Sequence, residues 1–410
     1  MHPALAQFHR SGPTGGPRCA GDLCQSAPAI DASDSNSRVM EVFYSRRDLI
    51  SLAVIEGDRP IGLINRDIFL SQMSKPFHRE LYDKKSCIAF MDKEPLIVDA
   101  DMSIEALTFK TVEVGEKALV DGFIVTREGR FSGVGNGLQL LGAVAETQAE
   151  KNRQIMQSIE YASVIQQAML RASRETLSTM LPDAALVWEP RDVVGGDFYH
   201  FAAFPEGWFG AVADCTGHGV PGAFMTLLAS ASLSQALERL GPRDPSKLLA
   251  AVNRNVKGLL GQVKGAGDAP QSNDGLDAAF FWYDAAQQQL HFAGARVALH
   301  VLRPDAEQFE TIAGERVGVG YVDSLADYAW PLHAVDLPED SLLFVSTDGL
   351  TDQIGGARKI AFGKRRSLDL ILANRAQTPS AICARLVDAL TEWQGAQSRR
   401  DDVTLFFARV

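Results

Sequence analysis

The stretch VADCTGHGVPGA, residues 212–223, decides how this chain is read. An apolar run ends in Asp214, and Cys215, Thr216 and His218 follow between glycines, ahead of a long helix-forming segment. Taken alone, the string fits a metal site, a cysteine nucleophile or a phosphate-cradling loop. A cysteine nucleophile needs a His or helix-terminus partner and a phosphate-binding loop around its thiolate. His218 is close in sequence, but no Cys-x5-Arg loop follows Cys215. The aspartate at the strand end is the more informative residue, because the chain repeats it.

VVGGDFY (193–199) places Asp197 after a glycine pair, and LLFVSTDGLTD (342–352) ends a second apolar strand in Asp348. RRDDVTLFF (399–407) puts Asp401 and Asp402 at the start of a third. A carboxylate at the mouth of a buried strand costs desolvation energy unless it is paired or bound to a cation. Any one of these is most simply a turn or helix-capping residue. Together, with no His pair or CxxC set beside them, they suit a hard, oxygen-preferring cation such as Mg2+ or Mn2+.

Outward from these motifs, residues 183–410 alternate β runs with helices. Strands are expected at 208–214, 278–284, 289–295, 298–303, 341–349 and 402–410, and helices at 220–240, 245–260, 366–375 and 379–394. Many antiparallel-looking strands with helical insertions indicate an α+β domain, a sheet sandwich with helices outside.

The strings VGGDFY, ADCTGHGVPGAFMT, DGLDAAFFWYD, FAGA, VSTDGLTD and RRDDVTL, in this order, resemble the metal-dependent protein phosphatase family (PPM, the type 2C Ser/Thr phosphatases) and its SpoIIE-like branch. SIEYASVIQQAML (158–170) resembles the helix that precedes such domains. The resemblance implies a PPM-type antiparallel β-sandwich over 182–410 and two Mn2+ or Mg2+ ions. Asp214 would bridge them, Asp197 and the main-chain carbonyl of Cys215 would complete one site, and Asp348 and Asp401 the other. It also implies direct attack of an activated water on phosphorus, with no covalent enzyme intermediate. On this reading Cys215 offers its carbonyl and not its sulfur. His218 is a loop residue or a donor to the leaving group, and Arg191 is a solvated side chain or a phosphate contact.

Upstream, LISLAVIEGDRPIGLINRDIFL (49–70) and DGFIVTREGRFSGVGNGLQLL (121–141) share one plan of strand, turn, strand and helix. Val54, Arg59, Gly62 and Asn65 recur 71 positions later as Val125, Arg130, Gly133 and Asn136, which indicates two similar units packed together. Residues 39–145 resemble a tandem of cystathionine-β-synthase-type (CBS) domains, an α/β pair whose implied ligand is an adenine nucleotide. Asn65 and Asn136 stand where that family commonly has Thr or Ser, and Ile68 and Gln139 stand where it has a ribose-binding Asp, with Asp67 displaced by one. A structural or dimerising pair without ligand is the alternative. Residues 1–38, rich in Gly, Pro, Ser and Ala, read as a disordered arm. Residues 146–181 contain no Gly or Pro and read as a helical, coiled-coil-like linker. Its stripe Ile155, Ile159, Ala162 and Met169 either packs on its own domain or pairs with a twin in a homodimer.

The chain of 410 residues carries a net charge of −11, which argues against a nucleic-acid surface. No apolar run approaches a membrane span, and five scattered cysteines suggest reduced thiols in the cytoplasm. The expected activity is phosphoserine/phosphothreonine protein phosphatase under control of the CBS pair. The resemblance implies as substrate a phosphorylated STAS-domain protein, an anti-sigma-factor antagonist. A catalytically weak scaffold relaying a signal by docking, and a hydrolase for small phosphorylated metabolites, are the competing functions.

Overall fold

A computed structural model of the chain describes residues 17–262 and 272–410, in two compact units, Met1–Ile155 and Met156–Val410. The first unit builds one plan twice. Its first copy is β1 (Ile30–Asp31), α1 (Asn36–Ser45), β2 (Ser51–Glu56), β3 (Arg59–Asn65) and α2 (Arg66–Met73), followed by the short α3 (His78–Tyr82). The second is β4 (Ile97–Asp99), α4 (Ile104–Val114), α5 (Glu116–Asp121), β5 (Phe123–Arg127), β6 (Arg130–Gly135) and the start of α6 (Gly137–Met180). Each copy forms a three-stranded sheet with its first strand parallel to the second and the second antiparallel to the third. The sequence repeat survives as geometry: Val54 faces Gly62 and Val125 faces Gly133, each followed by a register shift. Ala53 and Leu63 of one copy share a small core with Ile124 and Val134 of the other.

One expectation for this unit is corrected. Residues 1–16 lie outside the described residues, but 17–38 are not a disordered arm. Ala20, Leu23 and Ile30 are buried, and the backbone is stitched on by Gly21 N to Ala100 O and Gln25 N to Val134 O, both 2.8 Å. Small side chains here permit close backbone contact, so the shortage of large apolar residues was a packing signal. Asn65 and Asn136, at the expected nucleotide positions, accept from backbone N–H groups of the helices they precede, Asn65 from Asp67 and Ile68 and Asn136 from Gln139. Asn65 also donates to the buried Asp121 carboxylate at 2.8 Å.

The second unit begins inside α6, which starts at Gly137 and not at 146. Its buried face is Ser163, Gln166, Leu170, Ser173 and Leu177, and the two leucines enter the core of the unit. Of the expected stripe, Ile155 is exposed, while Ile159, Ala162 and Met169 are half-buried. The helix from Met156 therefore packs on this unit, which extends further upstream than residue 182.

After α6 come β7 (Ala184–Glu189), β8 (Asp197–Phe204), β9 (Gly207–Cys215), α7 (Gly219–Leu240), α8 (Pro245–Leu259), β10 (Leu276–Asp284), β11 (Gln289–Ala295), β12 (Leu299–Leu302), β13 (Glu310–Ile312) and β14 (His333–Asp336). They are followed by β15 (Leu342–Ser346), α9 (Asp348–Asp352), a ribbon of β16 (Ile354–Gly355) and β17 (Ile360–Ala361), α10 (Lys364–Ala373), α11 (Pro379–Gln394) and β18 (Val403–Arg409). Two five-stranded sheets result, in the orders β14-β11-β10-β9-β8 and β13-β12-β15-β18-β7, with every pair antiparallel. They pack face to face through aromatic rings: Phe406 lies 4.9 Å from Phe201 and 5.5 Å from Phe281, centre to centre. Helices α7 and α8 cover the first sheet, burying Ala229, Leu233, Leu248 and Val252. Helix α11 covers the second, with Ile382, Leu386 and Leu390 against Val403, Leu405 and Phe407. By length and composition α7 could cross a membrane, yet half of its apolar stretch is buried within this unit. The expected sandwich with helices outside is present.

Candidate active site

One end of the double sheet gathers the acidic residues. Antiparallel register sets Asp197 of β8 directly opposite Asp214 of β9, and Asp277 of β10 opposite Asp214 on its other side. Residues so placed share a sheet face, with Cβ atoms roughly 5 Å apart. The second sheet delivers Asp348, two residues past the end of β15 and the first of α9, and Asp401, two residues before β18.

The two sheets are joined at this end by hydrogen bonds. Thr347 Oγ1 and Thr404 Oγ1 donate to Asp197 Oδ2 at 2.8 and 2.7 Å, while Asp197 Oδ1 is buried without a partner. Asp402 Oδ1 and Oδ2 accept from the backbone N–H groups of Arg191 and Gly196, each at 2.6 Å. Asp402 N in turn donates to Asp401 Oδ1 at 2.9 Å. In the pair Asp401–Asp402 the second carboxylate thus holds the 191–196 loop and leaves the first at the cluster.

The loops need their glycines. Gly217, at φ +84°, turns the chain after Asp214 toward α7, and a Cβ on Gly196 would lie 2.8 Å from the Cys215 carbonyl oxygen. Thr226 Oγ1 of α7 donates to the carbonyls of Gly195 and Gly196, at 3.2 and 2.9 Å. From α6, Gln166 Nε2 donates to Gly195 O at 2.7 Å and Gly195 N donates back to Gln166 Oε1 at 3.1 Å. Ser173 Oγ of the same helix accepts from Phe201 N of β8 at 2.6 Å.

Electrostatics follow from this crowding. Burial raises the Asp214 carboxyl far above the ordinary range, and Asp197, Asp348, Asp401 and Asp277 push it further. Asp197 is raised by burial and then by Asp402. Asp348, although its surface is open, is raised by the protein around it and by Asp352 and Asp401. Asp277 is pushed up to about 6 by burial, against the opposing pull of Arg296. Among the described residues no three acidic, His or Cys side chains are drawn tightly enough together to cage an ion. Unscreened carboxylates repel one another, and a hard dication completes its shell with waters and a backbone carbonyl. An all-oxygen donor set, mutual charge repulsion and the unpartnered Asp197 Oδ1 fit such cations.

Asp197, Asp214 and the Cys215 carbonyl lie together on the first sheet, with Asp348 and Asp401 facing them from the second. The Cys215 thiol is buried, and burial raises its pKa well above that of a free thiol, which opposes a thiolate nucleophile there. His218 Nδ1 pairs with Asp192 Oδ2 at 2.7 Å, and the Arg191 side chain donates to Arg400 O at 3.3 Å. Sequence reasoning missed Asp277 and Gln166. Asp277 obeys the strand-end rule that found the others, being the second residue of an apolar strand.

This double antiparallel sheet, with acidic residues at one end, defines a PP2C-type (PPM) serine/threonine phosphatase domain. The sequence profile of stage II sporulation protein E (SpoIIE) matches residues 205–410, and the chain belongs to that family. The SiaA PP2C domain of Pseudomonas aeruginosa is 35% identical, with a TM-score of 0.57 over 64% of this chain and 99% of that one. The RsbU and RsbW domains of Rv1364c from Mycobacterium tuberculosis match at 18% identity and TM-score 0.43, over 55% and 60% of the two chains. The SpoIIE phosphatase domain with a regulatory fragment from Bacillus subtilis matches at 14% and 0.44, over 55% and 62%. No curated protein sequence matches the chain. PPM phosphatases use Mg2+ or Mn2+.

Proposed function

We propose that this chain hydrolyses phosphoserine or phosphothreonine in a protein, with two divalent cations held by Asp197, Asp214, the Cys215 carbonyl, Asp348 and Asp401. The observation that carries the reading is the register Asp197–Asp214 at the sheet end where Asp348 and Asp401 also arrive. When bound, the ions supply Lewis acidity and an activated water. The chain's own part is to fix the donors: Thr347 and Thr404 orient Asp197, Asp402 clamps the loop before it, and Gly196 lets the Cys215 carbonyl approach.

The substrate we infer is a phosphorylated STAS-type protein of a partner-switching pathway, which the SpoIIE family membership supports. We read the repeated β-α-β-β-α unit as a CBS pair that senses a signal and passes it along α6, in a cytoplasmic homodimer. Gln166 and Ser173 support this route, since they tie the helix to Gly195 and β8, on either side of Asp197. Helix capping by Asn65 and Asn136 speaks against a nucleotide held in the family's manner.

The test is Mn2+-dependent hydrolysis of p-nitrophenyl phosphate, then of phosphoserine protein against small phosphorylated metabolites. Absence of metal-dependent turnover would refute the assignment. Equal turnover of metabolites would refute the protein substrate.

A further inference from the structure

On the Asp277 side of the carboxylates stands a cation whose position the ion-site reading does not use. Arg296 follows β11 and has φ +60°, a conformation uncommon for a residue with a side chain. Its backbone is fixed there by Arg296 N donating to Glu315 O at 2.7 Å and Glu315 N to Gly294 O at 2.8 Å. The side chain is held on three sides. Nη1 donates to Asp277 Oδ1 at 3.4 Å, Nε donates to Arg316 O at 3.2 Å, and the guanidinium lies 4.8 Å from the ring centre of Tyr321. Tyr321 is itself tied to the metal loop, since Thr216 Oγ1 donates to its hydroxyl at 3.3 Å. Nη2 donates to nothing among the described residues, and 37% of the side chain is exposed.

Asp277 faces Asp214, so its partner arginine is delivered to the edge of the carboxylate cluster from the side opposite Asp197. An arginine held by a carboxylate, a carbonyl and a ring keeps one edge of its planar fork free. That edge suits the oxygens of a phosphate better than a mobile ammonium would. Two dications would balance four of the five carboxylates, and a fixed positive group on the phosphate's own side would meet the dianion of a phosphomonoester.

We propose that Arg296 grips non-bridging oxygens of the substrate phosphoryl group, and that Asp277 and Tyr321 are the positioning residues that aim it. The proposal rests on the reading of Asp214 as an ion ligand. It assigns to Asp277 the holding of the arginine, leaving the ions to the other four aspartates.

The test uses the full chain with Mn2+ and inorganic phosphate as the probe. Phosphate binding is measured by calorimetry and, separately, as inhibition of p-nitrophenyl phosphate hydrolysis. Arg296→Ala is expected to weaken phosphate binding roughly tenfold to a hundredfold, the range of a lost charge-assisted bond, and to raise KM more than it lowers kcat. Mn2+ affinity should stay within about twofold, and Arg296→Lys should recover part of the phosphate affinity. Asp277→Asn should weaken phosphate less than Arg296→Ala, and add nothing when combined with it. Unchanged phosphate affinity in Arg296→Ala overturns the proposal, as does a loss of Mn2+ affinity equal to the loss of phosphate affinity. An Asp214→Asn variant that keeps its turnover would instead overturn the ion-site reading, so the two failures are separable.

Discussion

Replacing Gln166 by Leu isolates the connection between α6 and the loop that carries Asp197. The substitution leaves an apolar side chain one carbon shorter to its branch and removes both hydrogen bonds to Gly195. Gly195 O retains Thr226 Oγ1, but Gly195 N, buried beneath the helix, loses its acceptor. Two net hydrogen bonds at about 1 kcal/mol each, plus an orphaned buried N–H at about 1 kcal/mol or more, give roughly 3 kcal/mol. For a domain of this size that lowers the melting temperature by about 6–12 °C. The effect should be concentrated at the loop, because Gln166 bonds Gly195 there, while Asp402 and Thr226 keep the loop attached to a domain that still folds. We therefore expect a weaker Mn2+ dependence midpoint, by tenfold or more, in a variant that still folds. Calorimetric melting with a Mn2+ titration of p-nitrophenyl phosphate hydrolysis reads both quantities. A variant with the wild-type metal curve and a melting point lowered as calculated would show that Gln166 is only a packing residue. An unchanged melting point would refute the hydrogen-bond reasoning itself.

Three further outcomes are expected. Asp214→Asn should lower turnover by on the order of a thousandfold or more, while the metal-free protein melts no lower than wild type, since one of several mutually repelling carboxylates is gone. Cys215→Ser should keep activity within a few-fold, measured at saturating Mn2+, if the carbonyl of residue 215 serves the site as proposed. His300 is buried between Phe344 and Phe309 and its Nδ1 bonds Thr311 Oγ1; burial, then Lys364, brings its pKa down to about 4. Its neutral form is the folded one, so the stability it contributes is complete above the unfolded value near 6.5 and is lost as pH falls toward 4. Denaturant melts should show wild type losing about 3 kcal/mol relative to His300→Gln over that interval. Parallel pH profiles would contradict it.

Much of the catalytic unit was legible because its signals are local. Strand ends at Asp214 and Asp348, and the helices around residues 219–240 and 379–394, are written in runs of apolar residues broken by glycine or proline. What local pattern concealed was pairing across distance. Asp277 became informative only when β10 was seen beside β9. Gln166 is a polar residue in a helix whose partner is the backbone of Gly195, a pairing no local pattern reveals. The true face of α6, Ser163 through Leu177, is half polar for that reason, and the exposed Ile155 drew the eye to another stripe. Residues 17–38 carried too few large side chains to look folded, since backbone bonding to Ala100 and Val134 does their anchoring.

The bonds to Asp197 also constrain the order of assembly. Its carboxylate belongs to β8, but both hydroxyls that hold it come from later in the chain, Thr347 and Thr404, and the loop before it waits for Asp402. Strand β18, which brings Thr404 and Asp402, slots between β15 and β7 in the interior of its sheet. On the ribosome, the first sheet and its helices can therefore be complete while the acidic end still lacks Asp348, Asp401 and the two threonines that hold Asp197. In that state β7, whose strand partner in the fold is β18, is unpaired, and an unpaired strand invites pairing with a neighbour or a chaperone. One strand, β18, thus both pairs with β7 and brings Thr404 and Asp402 to the acidic end.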